Sequence, residues 1–384
     1  MEYDAVVAGG SVAGLLCARE IAAAGFSVMV AEEDYEIGTP EHCGGLVSLA
    51  GLGELGVVPS AGTWHHMVES ADIMAPDGSL ISIDAKRQKV AEISRRELDK
   101  QIALQAQRRG ATIMVRTSVQ EITGSGVRTS EGSASCQIAV DARGAQSLVQ
   151  KDRTGMLPSA QYEVYADWIK RGRVCVMIDQ EKYPEFFAWI IPSGEGRGKV
   201  GVAGRGINVA EALDKILDDR GGCSVIRKIY APIWVKGPIK RFVQDGIVTV
   251  GDAAGQAKPT TAGGIFTSGM GGIYAGRAIA EFLRTGDESA LEEYQKRWTG
   301  RFGGEFERQA LARRALGKIS NDTVNKLFGS ITPEITAEIS AGDDFDFHAG
   351  SIIKLLGIKG SLGTAGTLVG GELKRLLGRG SGQD

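Results

Sequence analysis

The sequence predicts a mixed α/β (α+β) protein in which a βαβ frame is split by a β-rich insertion, with a helical region toward the C-terminal end. Three observations predict it. An apolar run, a glycine turn and an apolar helix open the chain; strand-type segments dominate from about residue 161 to 243; long helical segments return after Val250.

Taken in order, Ala5 to Ala8 is a short apolar strand, Leu15 to Ala24 an apolar helix and Ser27 to Ala31 a second strand. A helix follows from about Arg96 to Arg109, then a strand from Thr112 to Arg116, and alternating segments through Val140. VYADWI, RVCVMI, FFAWII and KVGVAG carry β-branched and aromatic residues between breakers, as strands do. One helix interrupts them, where Asn208 can cap and Glu211 stands three positions on. Helices from about Gly264 to Arg284 and Ala290 to Ile319 complete the pattern. The expected organisation is a nucleotide-binding domain at 1–160 plus 245–285, an antiparallel β-rich substrate domain at 161–244 joined in part by residues 60–92, and a C-terminal helical region at 286–384.

The chain of 384 residues can bury a core without staples. Its five cysteines (Cys17, Cys43, Cys136, Cys175 and Cys223) form no C-x-x-C pair, and its four histidines, including the adjacent His65 and His66, show no metal-ligand spacing. Disulfide and metal roles are therefore not expected. A formal net charge of −3 leaves no electrostatic footprint for nucleic acid. No stretch approaches the roughly 18 continuous apolar residues of a spanning helix. A cytoplasmic protein, free or peripheral on the inner face of the cell membrane, is the expectation.

The first motif is Gly9-Gly10-Ser11-Val12-Ala13-Gly14, a G-x-G-x-x-G with Ser11 at its middle glycine. Lying between strand and helix, its amides can hold a pyrophosphate in the Rossmann manner. Glu32, 18 residues past Gly14 and followed by Glu33, ends the second strand where a carboxylate can accept ribose hydroxyls. A second glycine-rich segment runs from Gly246 to Gly272: a strand ends in Gly251-Asp252-Ala253-Ala254, and a helix opens at Gly263-Gly264-Ile265.

This pairing resembles the FAD-binding fold of the aromatic hydroxylase and geranylgeranyl reductase superfamily. The resemblance implies FAD, with Asp252 on its ribityl chain and Gly263, Gly264 and Ile265 facing its ring; Asp252 can equally act as a helix cap. Arg95 in Ser94-Arg95-Arg96-Glu97-Leu98-Asp99 matches the family's R-x-x-[LF]-D, which places an arginine beside the cofactor. Arg143 stands where hydroxylases often carry an aspartate. That departure weakens a hydroxylase-type nicotinamide interaction.

Two further stretches are similar to archaeal geranylgeranyl reductases. EIGTPEHCGGLVS, from Glu36, matches a cysteine-glycine motif with one residue fewer, and Phe187-Ala188-Trp189-Ile190-Ile191-Pro192 matches Y-x-W-x-F-P. The resemblance implies that Cys43, Gly44 and Gly45 lie against the flavin face, although plain packing also accounts for a small thiol beside glycines. Cys43 and His42 are the candidate proton donors. An apolar wall of Phe187, Trp189, Ile191 and Pro192 suits an isoprenoid, with Phe187, Trp189 and Ile191 on one strand face and Phe186, Ala188 and Ile190 on the other.

The function implied is FAD-dependent hydrogenation of geranylgeranyl C=C bonds in archaeal-type ether lipid. Its reductant would be NAD(P)H or a reduced ferredoxin-type protein, since no second glycine fingerprint is present. Alternatives are reduction of another polyprenyl chain such as a menaquinone tail, flavin-dependent hydroxylation or halogenation, and a non-catalytic prenyl carrier. Basic amphipathic clusters from Ser351 to Gly380 suggest either membrane-surface contact or a packed terminal helix.

Overall fold

The computed structural model describes residues 1–350 except 148, 343 and 349. The amphipathic segment expected at 351–380 lies outside the described residues. Two compact units are present: one of Met1–Trp64, Ile93–Met156 and Trp234–Phe306, the other of His65–Glu92, Leu157–Ile233 and the described residues from Glu307 on.

The first unit is built on a six-stranded sheet in the order Val243–Gln244, Ile247–Thr249, Ile138–Asp141, Ala5–Ala8, Val28–Ala31, Thr112–Met114. Five strands run parallel and the Val243 edge strand runs antiparallel. Strands Ala5–Ala8, Val28–Ala31 and Ile138–Asp141 are buried at every position, as parallel strands covered on both faces must be. One cover is a three-stranded antiparallel sheet whose Val119, Val127 and Ala134 pack on Val6, Ala8, Met29 and Ala31.

Helices Val12–Ala23 and Ile265–Thr285 approach each other closely. A Cβ at Gly272 would lie 2.1 Å from the Ala13 carbonyl oxygen and one at Gly276 would lie 2.5 Å from the Cys17 carbonyl oxygen, so these two glycines permit the contact. Beside them the buried aromatics Phe242, Trp298, Phe302 and Phe306 form a cluster in which Phe242 and Phe306 meet Trp298 edge-on and Phe302 lies tilted to it, with the Trp298 indole N–H bonded to the Thr267 carbonyl.

The second unit carries a seven-stranded sheet in the order Ser224–Tyr230, Ser159–Tyr165, Arg197–Ala203, Ala188–Gly194, Arg173–Met177, Ser70–Met74, Leu80–Asp84. Its pairings are antiparallel except between Arg173–Met177 and Ser70–Met74. One face presents Ala160, Tyr162, Val164, Ala188, Ile190, Val200 and Val202 to helix Val209–Asp219. That helix answers with Leu213, Ile216 and Leu217, an apolar stripe at helical spacing, and the Asn208 side chain caps it by accepting the Glu211 N–H.

The alternation expected along the Phe186 segment needs correction. The strand begins only at Ala188, because the Phe186 N–H is bonded in a turn to the Tyr183 carbonyl. Phe186 and Phe187 therefore do not point to opposite faces. Their rings stack at 4.2 Å, and Trp189 meets both edge-on.

Candidate functional site

The glycine turn at Gly9 is set by close backbone approaches. Gly9 has φ +109°, and a Cβ there would lie 2.5 Å from the Ala142 carbonyl oxygen; one on Gly14 would lie 2.1 Å from the Gly9 carbonyl. Helix Val12–Ala23 follows with Ser11 at its N-cap, no side-chain cap bond and no acidic residue in its first turn. Its N-terminal amides keep their capacity for an anion. Glu32 sits beside the turn, accepting the Gly10 N–H at 2.6 Å and the Asp34 N–H at 3.0 Å, while Glu33 is exposed.

Arg95 is the first residue of helix Arg95–Arg108, whose Ser94 cap accepts the Glu97 N–H. Its Nη2 donates to Ser11 Oγ at 3.1 Å and to both Asp99 oxygens at 3.1 Å, and its guanidinium is also bonded to the Cys43 sulfur. Burial works against the Arg95 charge, but Asp99 and then Cys43 outweigh it and push the pKa above its ordinary value. Arg95 Nε is buried with no hydrogen-bond partner among the described residues.

Cys43 is half-buried; its sulfur also accepts the Gly45 N–H at 3.4 Å. Gly45 has φ +81°, and its carbonyl takes the Ile93 N–H, which fixes the loop to the residue just ahead of the Ser94 cap. His42 is exposed, with Nδ1 3.1 Å from the Pro40 carbonyl. Three predicted positions from separate parts of the sequence, Ser11, Cys43 and Arg95, thus meet at one guanidinium.

The second glycine segment joins the same unit. Gly251 packs against the first helix, where a Cβ would stand 3.0 Å from that of Ala13. Asp252 lies in a short turn, solvent-exposed, and accepts the Ser268 hydroxyl at 3.4 Å. Packing around it works against its charge and raises its pKa, opposed by His42 and Arg95. It does not cap the following helix; Gly264 occupies that position, with no side-chain cap, ahead of Ile265. Gly263 lies beside the Lys258 and Thr261 side chains. Arg143, the departure noted in the sequence, is taken up by the buried Asp141, with Nε 3.2 Å from its Oδ1.

In the other unit Trp189 is half-buried and lies over Gly201, where a Cβ would come within 2.2 Å of the indole; its N–H bonds Gln161 at 3.1 Å. Ile191 and Pro192 are buried and Phe187 is half-buried. Among the described residues no cluster of His, Cys, Asp or Glu could hold a metal ion.

No protein-family model matches the sequence. The chain is 30% identical over 376 residues to digeranylgeranylglycerophospholipid reductase 2 of Methanopyrus kandleri, which covers 90% of this chain and 94% of that protein. The chain belongs to the digeranylgeranylglycerophospholipid reductase family. Among solved structures, a geranylgeranyl bacteriochlorophyll reductase-like protein from Thermoplasma acidophilum matches with a TM-score of 0.83 at 22% identity, over 98% of this chain and 99% of that one. A flavin-dependent brominase matches with a TM-score of 0.68 at 16% identity, over 97% and 99%. These two likenesses show a shared fold.

Two features of this family member escaped the sequence reading. The Gly251 loop is held from behind: its N–H donates to Gln256 Oε1 at 2.8 Å, Gln256 donates to the Tyr294 hydroxyl, and that hydroxyl donates to the Thr249 carbonyl, all buried. The proximity of Gln256 to the Gly-Asp motif was the only available signal. The second feature is a buried polar cluster around Glu92, for which the adjacent pair His65-His66 was the sole hint.

Proposed function

We propose that this chain is a FAD-dependent reductase that hydrogenates the isoprenoid C=C bonds of geranylgeranyl chains in archaeal-type ether lipids. The observation carrying this reading is the 30% identity to a reductase of that name over 90% of the chain. The local chemistry supports it. Arg95 Nε and the uncapped start of helix Val12–Ala23 retain bonding capacity of the kind a pyrophosphate and a flavin ring would use.

In this reading the amides of Gly9, Gly10, Ser11, Ala13 and Gly14 hold the pyrophosphate, and Glu32 and Asp252 accept hydroxyls of the ribose and ribityl chains. Arg95, Cys43, Gly44, Gly45 and Gly263 to Ile265 border the ring. When bound, reduced FAD supplies hydride. The protein must orient the chain and exclude water, which the apolar surface of Phe187, Trp189, Ile191 and Pro192 serves.

The electron donor is NAD(P)H or a reduced ferredoxin-type protein that docks transiently. The lipid is reached from the membrane surface; no described helix is long and apolar enough to cross a membrane. The test is anaerobic incubation of purified protein with FAD, dithionite and geranylgeranylated glycerophospholipid, followed by mass analysis. Mass gains in two-hydrogen steps are expected. A flavin-loaded protein that leaves the lipid unchanged overturns the substrate assignment, and a protein that binds no FAD overturns the cofactor.

A further inference from the structure

The seven-stranded sheet ends at strand Leu80–Asp84, whose free side is covered in part by helix Pro333–Gly342; the Asp84 N–H donates to Ser340 Oγ at 3.2 Å across the junction. The cover is incomplete. A groove of about 750 Å³ remains, lined chiefly by Leu80, Ile81, Phe328, Ile331, Pro333 and Ala337, with Asp84 and Arg87 also at its wall. Leu80 is 49% exposed there, and all of these residues belong to the second unit.

Past Asp84 the chain enters the turn Lys86–Gln88, which Lys89 closes in the left-handed region at φ 47°, a conformation that suits glycine or asparagine better than lysine. Lys86, Arg87 and Lys89 are exposed, and no ion pair among the described residues involves any of them. Elsewhere on the same sheet exposed cations are paired: Arg173 with Asp72, Arg197 with Glu163, Lys170 with Glu195. The acid in the groove wall, Asp84, accepts the Lys86 N–H at 2.9 Å, and Glu334 and Glu338 are exposed on the helix outside the lining. Three cations within four residues thus face one carboxylate at the mouth of an apolar groove. Nucleic acid would use the cations and leave the apolar lining wet; a bilayer of anionic lipid answers both, with hydrocarbon against the groove and phosphate against the cations.

We propose that the groove between strand Leu80–Asp84 and helix Pro333–Gly342, together with Lys86, Arg87 and Lys89, is the face by which the protein docks on a bilayer of anionic lipid. This rests on the reductase reading above, whose substrate carries a phosphate headgroup and long hydrocarbon chains. The cations gather the protein at the surface, and Leu80 enters the headgroup region. Each cation at such a surface strengthens binding about fivefold, so the three together supply about 10²-fold. Salt screens that part of the attraction and leaves the apolar part in place.

The experiment is co-sedimentation of the flavin-loaded full chain with vesicles of phosphatidylcholine alone and of phosphatidylcholine and phosphatidylglycerol in equal parts, at low and high NaCl. Wild type should bind the anionic vesicles and release them at high salt. The triple variant Lys86→Gln, Arg87→Gln, Lys89→Gln should bind about 10²-fold more weakly, whereas Arg108→Gln, Arg109→Gln, Lys215→Gln, an equal change of net charge at other exposed positions, should bind as wild type does. Leu80→Gln should weaken binding about threefold at either salt, since it removes apolar area rather than charge. All the substituted side chains are exposed or edge positions outside the flavin site, so bound FAD and hydrogenation of detergent-dispersed geranylgeranylated glycerophospholipid should stay at wild-type levels. Wild type that ignores anionic vesicles, a triple variant or Leu80→Gln that binds like wild type, or two triple variants that weaken alike each overturns the docking face. A solution dimer that Leu80→Gln dissolves assigns the groove to a second copy and overturns it too. Wild type that binds the vesicles but adds no hydrogen to the dispersed lipid overturns the reductase reading instead.

Discussion

Arg95 Nη2 bonds Ser11 Oγ and both oxygens of Asp99, each at 3.1 Å, so one side chain ties the start of the first helix to a carboxylate that is only 4% exposed. Removing it leaves that carboxylate buried and unpaired, which costs about 3–5 kcal/mol. Arg95→Ala should therefore lose stability by about that much and bind FAD weakly. Adding Asp99→Leu should restore much of the stability and none of the FAD affinity. Chemical denaturation together with FAD titration separates the two effects; parallel recovery of both would mean that Arg95 serves the fold alone.

Cys43 touches Arg95 and the Gly45 amide without being deeply buried. Cys43→Ala removes one sulfur from a loop otherwise held by backbone bonding, so stability should change by less than about 1 kcal/mol. Turnover should drop by about tenfold or more and the flavin absorption band should shift. An unchanged spectrum and rate would make Cys43 a packing residue.

Trp189 occupies the space a side chain at Gly201 would need. Gly201→Ala should displace the indole at a cost of about 1–3 kcal/mol, break its bond to Gln161 and shift tryptophan emission to the red. Lipid KM should rise while FAD affinity stays unchanged, because the damage falls on the apolar surface. Steady-state kinetics with flavin titration tests the split.

The elements were readable where local pattern and tertiary demand agree. Ala5–Ala8 and Val28–Ala31 are apolar throughout because both faces are covered, and Asn208 caps because its neighbours form an amphipathic helix. The glycine turn was readable because backbone contacts forbid side chains at Gly9 and Gly14. Phe186 and Phe187 were misread because alternation describes a strand and these residues precede one in a turn. Glu92 and Lys199 could not be paired from sequence: 107 residues separate them, and only the sheet brings them to 3.2 Å. Gln256 and Tyr294, 38 residues apart, were hidden in the same way.

The Tyr294 hydroxyl is the far support of the Gly251 loop. Tyr294→Phe keeps the ring in its aromatic cluster but leaves the Gln256 amide and the Thr249 carbonyl each short of a partner. A loss of about 1–3 kcal/mol is expected. FAD should also bind more weakly, since Gly251 and Asp252 lose their anchor. Retained affinity in a destabilised variant would show that the loop holds its shape without the hydroxyl.

His66 gives the protein an acid-sensitive element. Burial holds its pKa below the ordinary value of 6.5, reinforced by Arg171 and His65 and opposed by Glu92 and Glu69. In the unfolded chain the ring takes up its proton near 6.5, whereas in the folded protein it does so only at lower pH. The unfolded state then binds more protons, so stability falls on acidification. The contribution is complete above the unfolded pKa and is lost as pH drops from there through the folded value. Between about pH 7.5 and about pH 5.5 the thermal midpoint should decline, and His66→Gln should flatten that decline. Aspartates and glutamates with lowered pKa values titrate below this window, so they do not produce the same slope. An equal slope in wild type and variant would show that His66 carries the same charge in both states.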